Sequence, residues 1–219
     1  MASKRSIRRK KLTRYKDSLK FGFYCITHPI DGFWDLTHEK RGTMAAANTI
    51  LFATVFMRII SLKYTSFIFN DINWEEVNIL LYVATIIFPL ALWVVGNWAL
   101  TTLSDGKGRL NQVYMATCYG MLPYPIVQLF LMLFSNVVTV DEAGFYTTVG
   151  TLTLVYCAIL IVCAMGQIHE YRAGKNIMFT IFSLFAILVE IFILLLFFSM
   201  ISQGVAYIVS LVKEMLFRI

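Results

Sequence analysis

Charged residues are scarce in this chain. They fill 15% of its 219 positions, where soluble domains carry about 25%. Hydrophobic residues reach 58% and mean hydropathy is +0.70. So few charges cannot cover a water-facing surface, which excludes a disordered chain and a soluble enzyme of ordinary make. Cysteine is also sparse, at four residues. Cys118, Cys157 and Cys163 fall inside apolar runs and Cys25 stands alone, so no disulfide framework is expected. Cys25 reads as an inert thiol or as a palmitoylation site. Catalytic motifs are missing too. There is no Gly-x-x-x-x-Gly-Lys run, no Gly-x-Ser-x-Gly elbow, no His-Glu-x-x-His and no Cys-x-x-Cys. The expectation is a protein that is not an enzyme, with no cofactor, metal or catalytic residue.

What the chain does have is apolar length. A helix needs about 20 apolar residues to cross the roughly 30 Å hydrocarbon core. Five stretches qualify, at about 43–62, 77–103, 113–140, 143–168 and 176–202. They are solid runs without the two-residue alternation of barrel strands, so the predicted fold is an all-α integral membrane protein with five transmembrane helices. Eleven of the 19 Lys and Arg residues lie within the first 41 positions. A domain boundary near 42 separates this basic part from the membrane domain at 43–219. The first apolar run begins only near Thr43 with no small-residue cleavage site after it, which predicts an uncleaved signal-anchor.

Loop charges set the orientation. Lys107 and Arg109 join Asp105 in one loop, and Arg172 and Lys175 join Glu170 in another. The opposite loops hold Asp71, Glu75 and Glu76, then Asp141 and Glu142, with Lys63 their only basic residue. The positive-inside rule then puts the N-terminus in the cytoplasm and the C-terminus outside. Trp74, Trp98 and Tyr171 sit at span ends as interfacial aromatics. The basic N-terminus would bind anionic lipid, gaining roughly 1 kcal/mol per residue near the surface; nucleic acid is not expected.

Positions 29–40 predict a short cytoplasmic interfacial helix, with Pro29 in its first turn. Ile30, Phe33 and Trp34 fall on one face, Asp31, Asp35 and His38 on another. Arg41 follows it as a further candidate for lipid or partner contact. His28, Asp31, Asp35 and His38 have helical spacing for a cation, but Pro29 biases His28 out of the helix. A solvated polar face explains them without a metal. At the other end, either Gly204 breaks the fifth helix and leaves an amphipathic tail, or one long tilted helix continues.

Three intramembrane features stand out. Glu190 lies deep in the fifth span, where a charge costs on the order of 3 kcal/mol. It reads as a proton or substrate site or an inter-subunit contact, or as a neutral carboxyl bonded to a neighbouring helix near Asn48. The sequence Tyr119-Gly120-Met121-Leu122-Pro123-Tyr124-Pro125 puts two prolines, Pro123 and Pro125, inside the third span. It predicts either a kink or a broken-helix site. Asp105-Gly106-Lys107-Gly108 reads as a tight turn. His169 and Glu170 read as interfacial.

The segment HPIDGFWDLTHEKRGTMAAA at 28–47, followed by five spans, resembles the Yip family, whose eukaryotic members interact with Rab-type GTPases. So does NWALTTLSDGKGRLNQVYMATCYGMLPYP at 97–125, which ends in a Tyr-x-x-Leu-Pro signature at Tyr119, Leu122 and Pro123. The wording is similar to the bacterial, Firmicute-like branch. Two departures stand: the Asp-Leu-Tyr-Gly-Pro motif of eukaryotic members is absent, and Cys118 replaces the glycine that usually precedes the tyrosine. Rab binding is therefore not carried over. The bacterial resemblance implies a plasma-membrane protein and an accessory subunit of a carbohydrate importer of the ATP-binding-cassette (ABC) type.

The leading expectation is thus a non-enzymatic membrane subunit or scaffold that binds other membrane proteins, with the importer permeases as partners. Ala45, Ala46, Ala47, Ala116 and Gly120 would allow close helix approach. The rivals are a small autonomous transporter or channel using Glu190, and a membrane-shaping protein like the eukaryotic members.

Overall fold

The computed structural model describes residues 2–69, 77–104 and 106–217, with side chains described from residue 9 onward. Trp74, Asp71, Glu75, Glu76, Asp105 and Arg218 lie outside the described residues. Among the described residues eight α-helices follow one another: α1 Ala2–Thr27, α2 Pro29–His38, α3 Met44–Tyr64, α4 Ile79–Thr102, α5 Leu110–Gly120, α6 Pro123–Phe134, α7 Ala143–His169 and α8 Ala173–Phe217. No strand occurs among the described residues. Five candidate spans result, at Met44–Tyr64, Ile79–Thr102, Leu110–Phe134, Val140–His169 and Ala173–Phe217. The class expected from composition holds.

Local chemistry sets the ends. Thr43 caps α3 by accepting from the Ala46 N–H at 3.3 Å, and Asn78 caps α4 through Leu81 N–H at 3.3 Å. The third span stops at Phe134, short of the expected 140. Ser135 and Asn136 turn the chain there: Ser135 Oγ accepts from Ser66 N–H, and Asn136 Nδ2 donates to the Tyr64 carbonyl. A left-handed Glu170 (φ 55°) ends α7, and the Tyr171 N–H returns to the Gly166 carbonyl.

The third span is interrupted between α5 and α6. Proline has no N–H, so Pro123 and Pro125 orphan the carbonyls of Tyr119 and Met121. Each is met by the residue before the proline: Leu122 N–H bonds Tyr119 O at 3.2 Å, and Tyr124 N–H bonds Met121 O at 3.1 Å. The backbone is satisfied within the chain, and Pro123 starts α6 at its first turn.

Alanines bring the central helices together. Ala46, Ala47 and Ala116 are fully buried, and a Cβ on Gly120 would come within 2.8 Å of Ile161. These residues, expected to serve a partner, pack inside the chain instead; Ala45 alone of the set is exposed. Helix α8 leans on α4 and α7 with only Asn176, Phe179 and Ser183 buried. It runs unbroken through Gly204, so no separate tail begins there. Nothing lies within 4 Å of Gly204 to force a bend.

Candidate functional site

The basic N-terminal part is not a loose tail. Helix α1 docks onto the Tyr-x-x-Leu-Pro segment. Tyr119 is fully buried, at 0% exposure; its hydroxyl lies 2.6 Å from Ser18 Oγ and donates to the Ser18 carbonyl at 3.1 Å. Thr43 Oγ1 donates to Ser18 Oγ at 3.1 Å. With those two protons placed, the Ser18 hydroxyl donates to the Tyr119 oxygen, and every group in the network is satisfied. One turn on, Gly22 meets Leu122: a Cβ there would sit 2.7 Å from Leu122 Cδ2. Tyr119 and Leu122 thus form a latch for α1.

Beyond the latch, α1 and α2 form a hairpin that lies along α7. The Tyr156 hydroxyl donates to the Ile26 carbonyl at 2.6 Å, at the tip. His38, at the far end of α2, lies 3.4 Å from Glu170. These two anchor points on α7 are about 20 Å apart along its axis. The expected interfacial placement is not confirmed: α2 packs along α7. Close approach at the hairpin requires Gly32, where a Cβ would lie 2.8 Å from Cys25 Cα. Cys25 is buried in that contact and is not open to acylation.

The predicted apolar face of α2 also divides. Phe33 is 0% exposed and joins Leu36 in the core, whereas Ile30 (61%) and Trp34 (42%) point outward. Packing against α7 rather than lipid is the reason. The two histidines serve different partners: His28 bonds Thr27 Oγ1 and stacks on Tyr24, while His38 stacks on Trp34. Arg41 pairs with Asp35 and Glu39, both at 3.3 Å, and lies 5.1 Å over the Phe21 ring. Between α1 and the α2–α3 link lies a cleft of about 840 Å³, walled by Arg9, Lys10, Arg14, Lys20, Lys40 and Arg41 against two acids, Asp17 and Glu39.

At the same end of the bundle sits a buried polar lock that sequence reasoning missed. His169, read as interfacial, is buried. Its Nδ1 accepts from Gly108 N–H at 3.2 Å, so the proton is on Nε2, which donates to Asn97 Oδ1 at 3.2 Å. Asn97 Nδ2 donates to Ser183 Oγ at 3.0 Å, and Ser183 donates to Phe179 O at 2.8 Å. The 106–108 turn closes over the ring: a Cβ on Gly108 would lie 2.5 Å from His169 Cε1. The signal was present as the spacing of Asn97, Gly106 and Gly108, but nothing in it named His169 as their common centre. Just outside, Glu170 bonds both Lys107 and His38. These two bonds, Lys107 first, hold its carboxyl below the ordinary carboxylate range.

Glu190 sits against α4, not near Asn48. A Cβ on Gly96 would lie 3.3 Å from Glu190 Oε1, and Oε2 is buried without a hydrogen-bond partner. Asn48 accepts instead from the Tyr114 hydroxyl at 2.7 Å. The reading of a carboxyl bonded near Asn48 is therefore corrected.

Five long apolar helices among the described residues, the fifth leaning on a core built by the others, define an integral membrane protein of the five-span, all-helical class. A family model described as Yip1 domain matches residues 23–197. The chain belongs to the Yip1 domain family. No curated protein and no solved structure matches it significantly. The family match begins one residue after Gly22 and takes in α2, the Tyr119 latch and the His169 lock.

Proposed function

We propose that this chain is a non-enzymatic membrane subunit that binds other integral membrane proteins through α8. The observation that carries this reading is the helix itself. Its 45 residues extend about 68 Å, against a hydrocarbon core of about 30 Å. Beyond Ser183 none of its described side chains is buried. Phe192, Leu196, Ile208 and Leu211 are all exposed and apolar. A rod this long and this apolar needs cover that the rest of the chain does not supply. Ile191 and Leu194 are still half-buried, and from Leu195 onward every described side chain is exposed.

In this reading the basic end faces the cytoplasm, the C-terminus lies outside, and the cleft at Arg9 to Arg41 holds anionic lipid. The partners we favour are the permeases of an ABC-type carbohydrate importer in a bacterial plasma membrane, on the strength of the family branch the sequence resembles.

Photo-crosslinkers at Phe192, Leu196 and Ile208, used in native membranes, test the proposal. Adducts to integral membrane proteins are expected from these sites and not from Leu152, exposed on α7. Truncation after Ser202 should cut recovery of the partner at least five-fold in gentle detergent. Adducts to lipid alone, with the protein purified alone, would overturn the reading. A partner that is neither permease nor ATPase would remove the importer and keep the scaffold.

A further inference from the structure

A cavity of about 730 Å³ lies inside the bundle, walled by α3, α4, the α5–α6 span and α7. Its volume falls within the roughly 300–1,000 Å³ typical of small-molecule sites. Thr85 and Pro89 on α4, and Thr151, Leu154 and Ala158 on α7, are exposed where they line it. Its mouth therefore lies between α4 and α7, which do not pack closely against each other, and opens sideways towards lipid.

The wall is more apolar than its composition suggests. Six threonines line the cavity, yet each donates its hydroxyl proton to its own helix. Thr54 bonds Ile50 O, Thr85 bonds Tyr82 O, Thr117 bonds Val113 O, and Thr147, Thr151 and Thr153 do likewise on α7. The threonines therefore keep no free donor for a ligand. Besides the threonines the wall carries Arg58, the Tyr124 hydroxyl that it bonds, the Gln128 amide and the Trp93 indole. Arg58 is the one charged side chain on the wall; it faces Tyr124 and lies 5.8 Å from the Tyr82 ring, and no carboxylate pairs with it among the described residues. The Trp93 indole N–H is buried with no acceptor. A largely apolar chamber whose cation has no carboxylate partner among the described residues, with the Trp93 N–H and the Gln128 amide as further donors, is complementary to an anionic, oxygen-bearing amphiphile.

We propose that this cavity binds a single-chain fatty acid, its carboxylate on the Arg58 guanidinium and its chain among Met121, Leu154, Cys157 and Ile161. The chain enters from the bilayer between α4 and α7. This site is separate from the α8 surface and does not depend on the partner proposal.

The test uses the full chain in nanodiscs of zwitterionic lipid, with a sixteen-carbon fatty acid carrying a mid-chain diazirine. After irradiation, adducts are mapped by peptide mass spectrometry. Labelling should concentrate on the cavity peptides around Met121 and Leu154. Arg58→Gln should lower it at least five-fold, Arg58→Lys should restore most of it, and the methyl ester of the probe should label wild type only at the Arg58→Gln level. Gly150→Phe fills the chamber, since a Cβ there meets nothing nearer than Leu131 at 3.8 Å. It should abolish cavity adducts while background labelling on α8 stays constant, which separates occupancy from misfolding. Adducts spread evenly over the lipid-facing helices, unchanged by Gly150→Phe, would overturn the proposal. So would cavity labelling by a diazirine phosphatidylglycerol but not by the fatty acid.

Discussion

At the scale of single residues, Tyr119 shows how a signature can be seen while its partners stay hidden. The sequence marks it through the neighbouring prolines, which predict either a kink or a broken-helix site. Its hydroxyl instead closes a three-residue network with Ser18 and Thr43, residues far away in sequence. Tyr119→Phe removes the proton donor and leaves the buried Ser18 carbonyl without it. The expected loss is about 1–2 kcal/mol, seen as a lower midpoint of thermal unfolding in detergent. Tryptic cleavage at Lys16 and Lys20 should rise with it, since α1 loses its anchor. Unchanged cleavage would show that α1 is held elsewhere. His169 and Glu190 teach the same lesson from opposite sides. One is a titratable group absorbed into a satisfied network, the other a carboxyl packed on a glycine with one oxygen unmet.

At the scale of elements, helix existence was legible from apolar length, and helix placement was not. Periodicity correctly gave a helix from Pro29, but it assigned Ile30, Phe33 and Trp34 to one lipid-facing face. A ten-residue helix carries too little pattern to say which apolar side chains meet protein and which meet lipid, because both environments are apolar. The buried contact decides the energetics. Phe33→Ala should cost about 3–5 kcal/mol through the cavity it leaves, whereas Trp34→Ala should change stability by less than about 1 kcal/mol. Thermal unfolding of the two variants side by side checks the order; the reverse order would return Phe33 to the lipid face. The fifth span also ran past its expected end. Gly204 left a break or one long helix both open, and α8 continues through it, at a cost of roughly 1 kcal/mol for glycine's poor helix propensity.

At the scale of the whole molecule, Glu170 ties three separate elements together: the α2 end through His38, the α4–α5 turn through Lys107, and the end of α7 that carries it. Because both partners favour its ionised form, its carboxyl titrates below the ordinary 4.5. Its contribution is present above pH 4.5 and is lost as pH falls through the lowered value. Spin labels at positions 39 and 172 should therefore report the α2 end moving away from α7 as pH is taken from 6 to 3. Glu170→Gln should show the wider distance throughout, with no pH dependence. A distance that stays constant in wild type would mean that the core contacts of Phe33 and Leu36 hold the hairpin unaided.

The sequence by itself determined the solvent. Scarce charge and five long apolar runs require a bilayer, and a bilayer requires helices, since each span must satisfy its own backbone. It also located the proline interruption, because the loss of an N–H is a local matter of hydrogen-bond supply. Only the tertiary structure decided which polar groups meet, Ser18 with Tyr119 and Asn97 with His169, and that Glu190 packs against Gly96. It also decided that the basic N-terminal helix folds back onto the spans and that α8 leaves most of its length uncovered. The reason is that apolarity drives every one of these helices into the membrane alike, whereas the choice of neighbour rests on shape and on a few hydrogen bonds between residues distant in the chain.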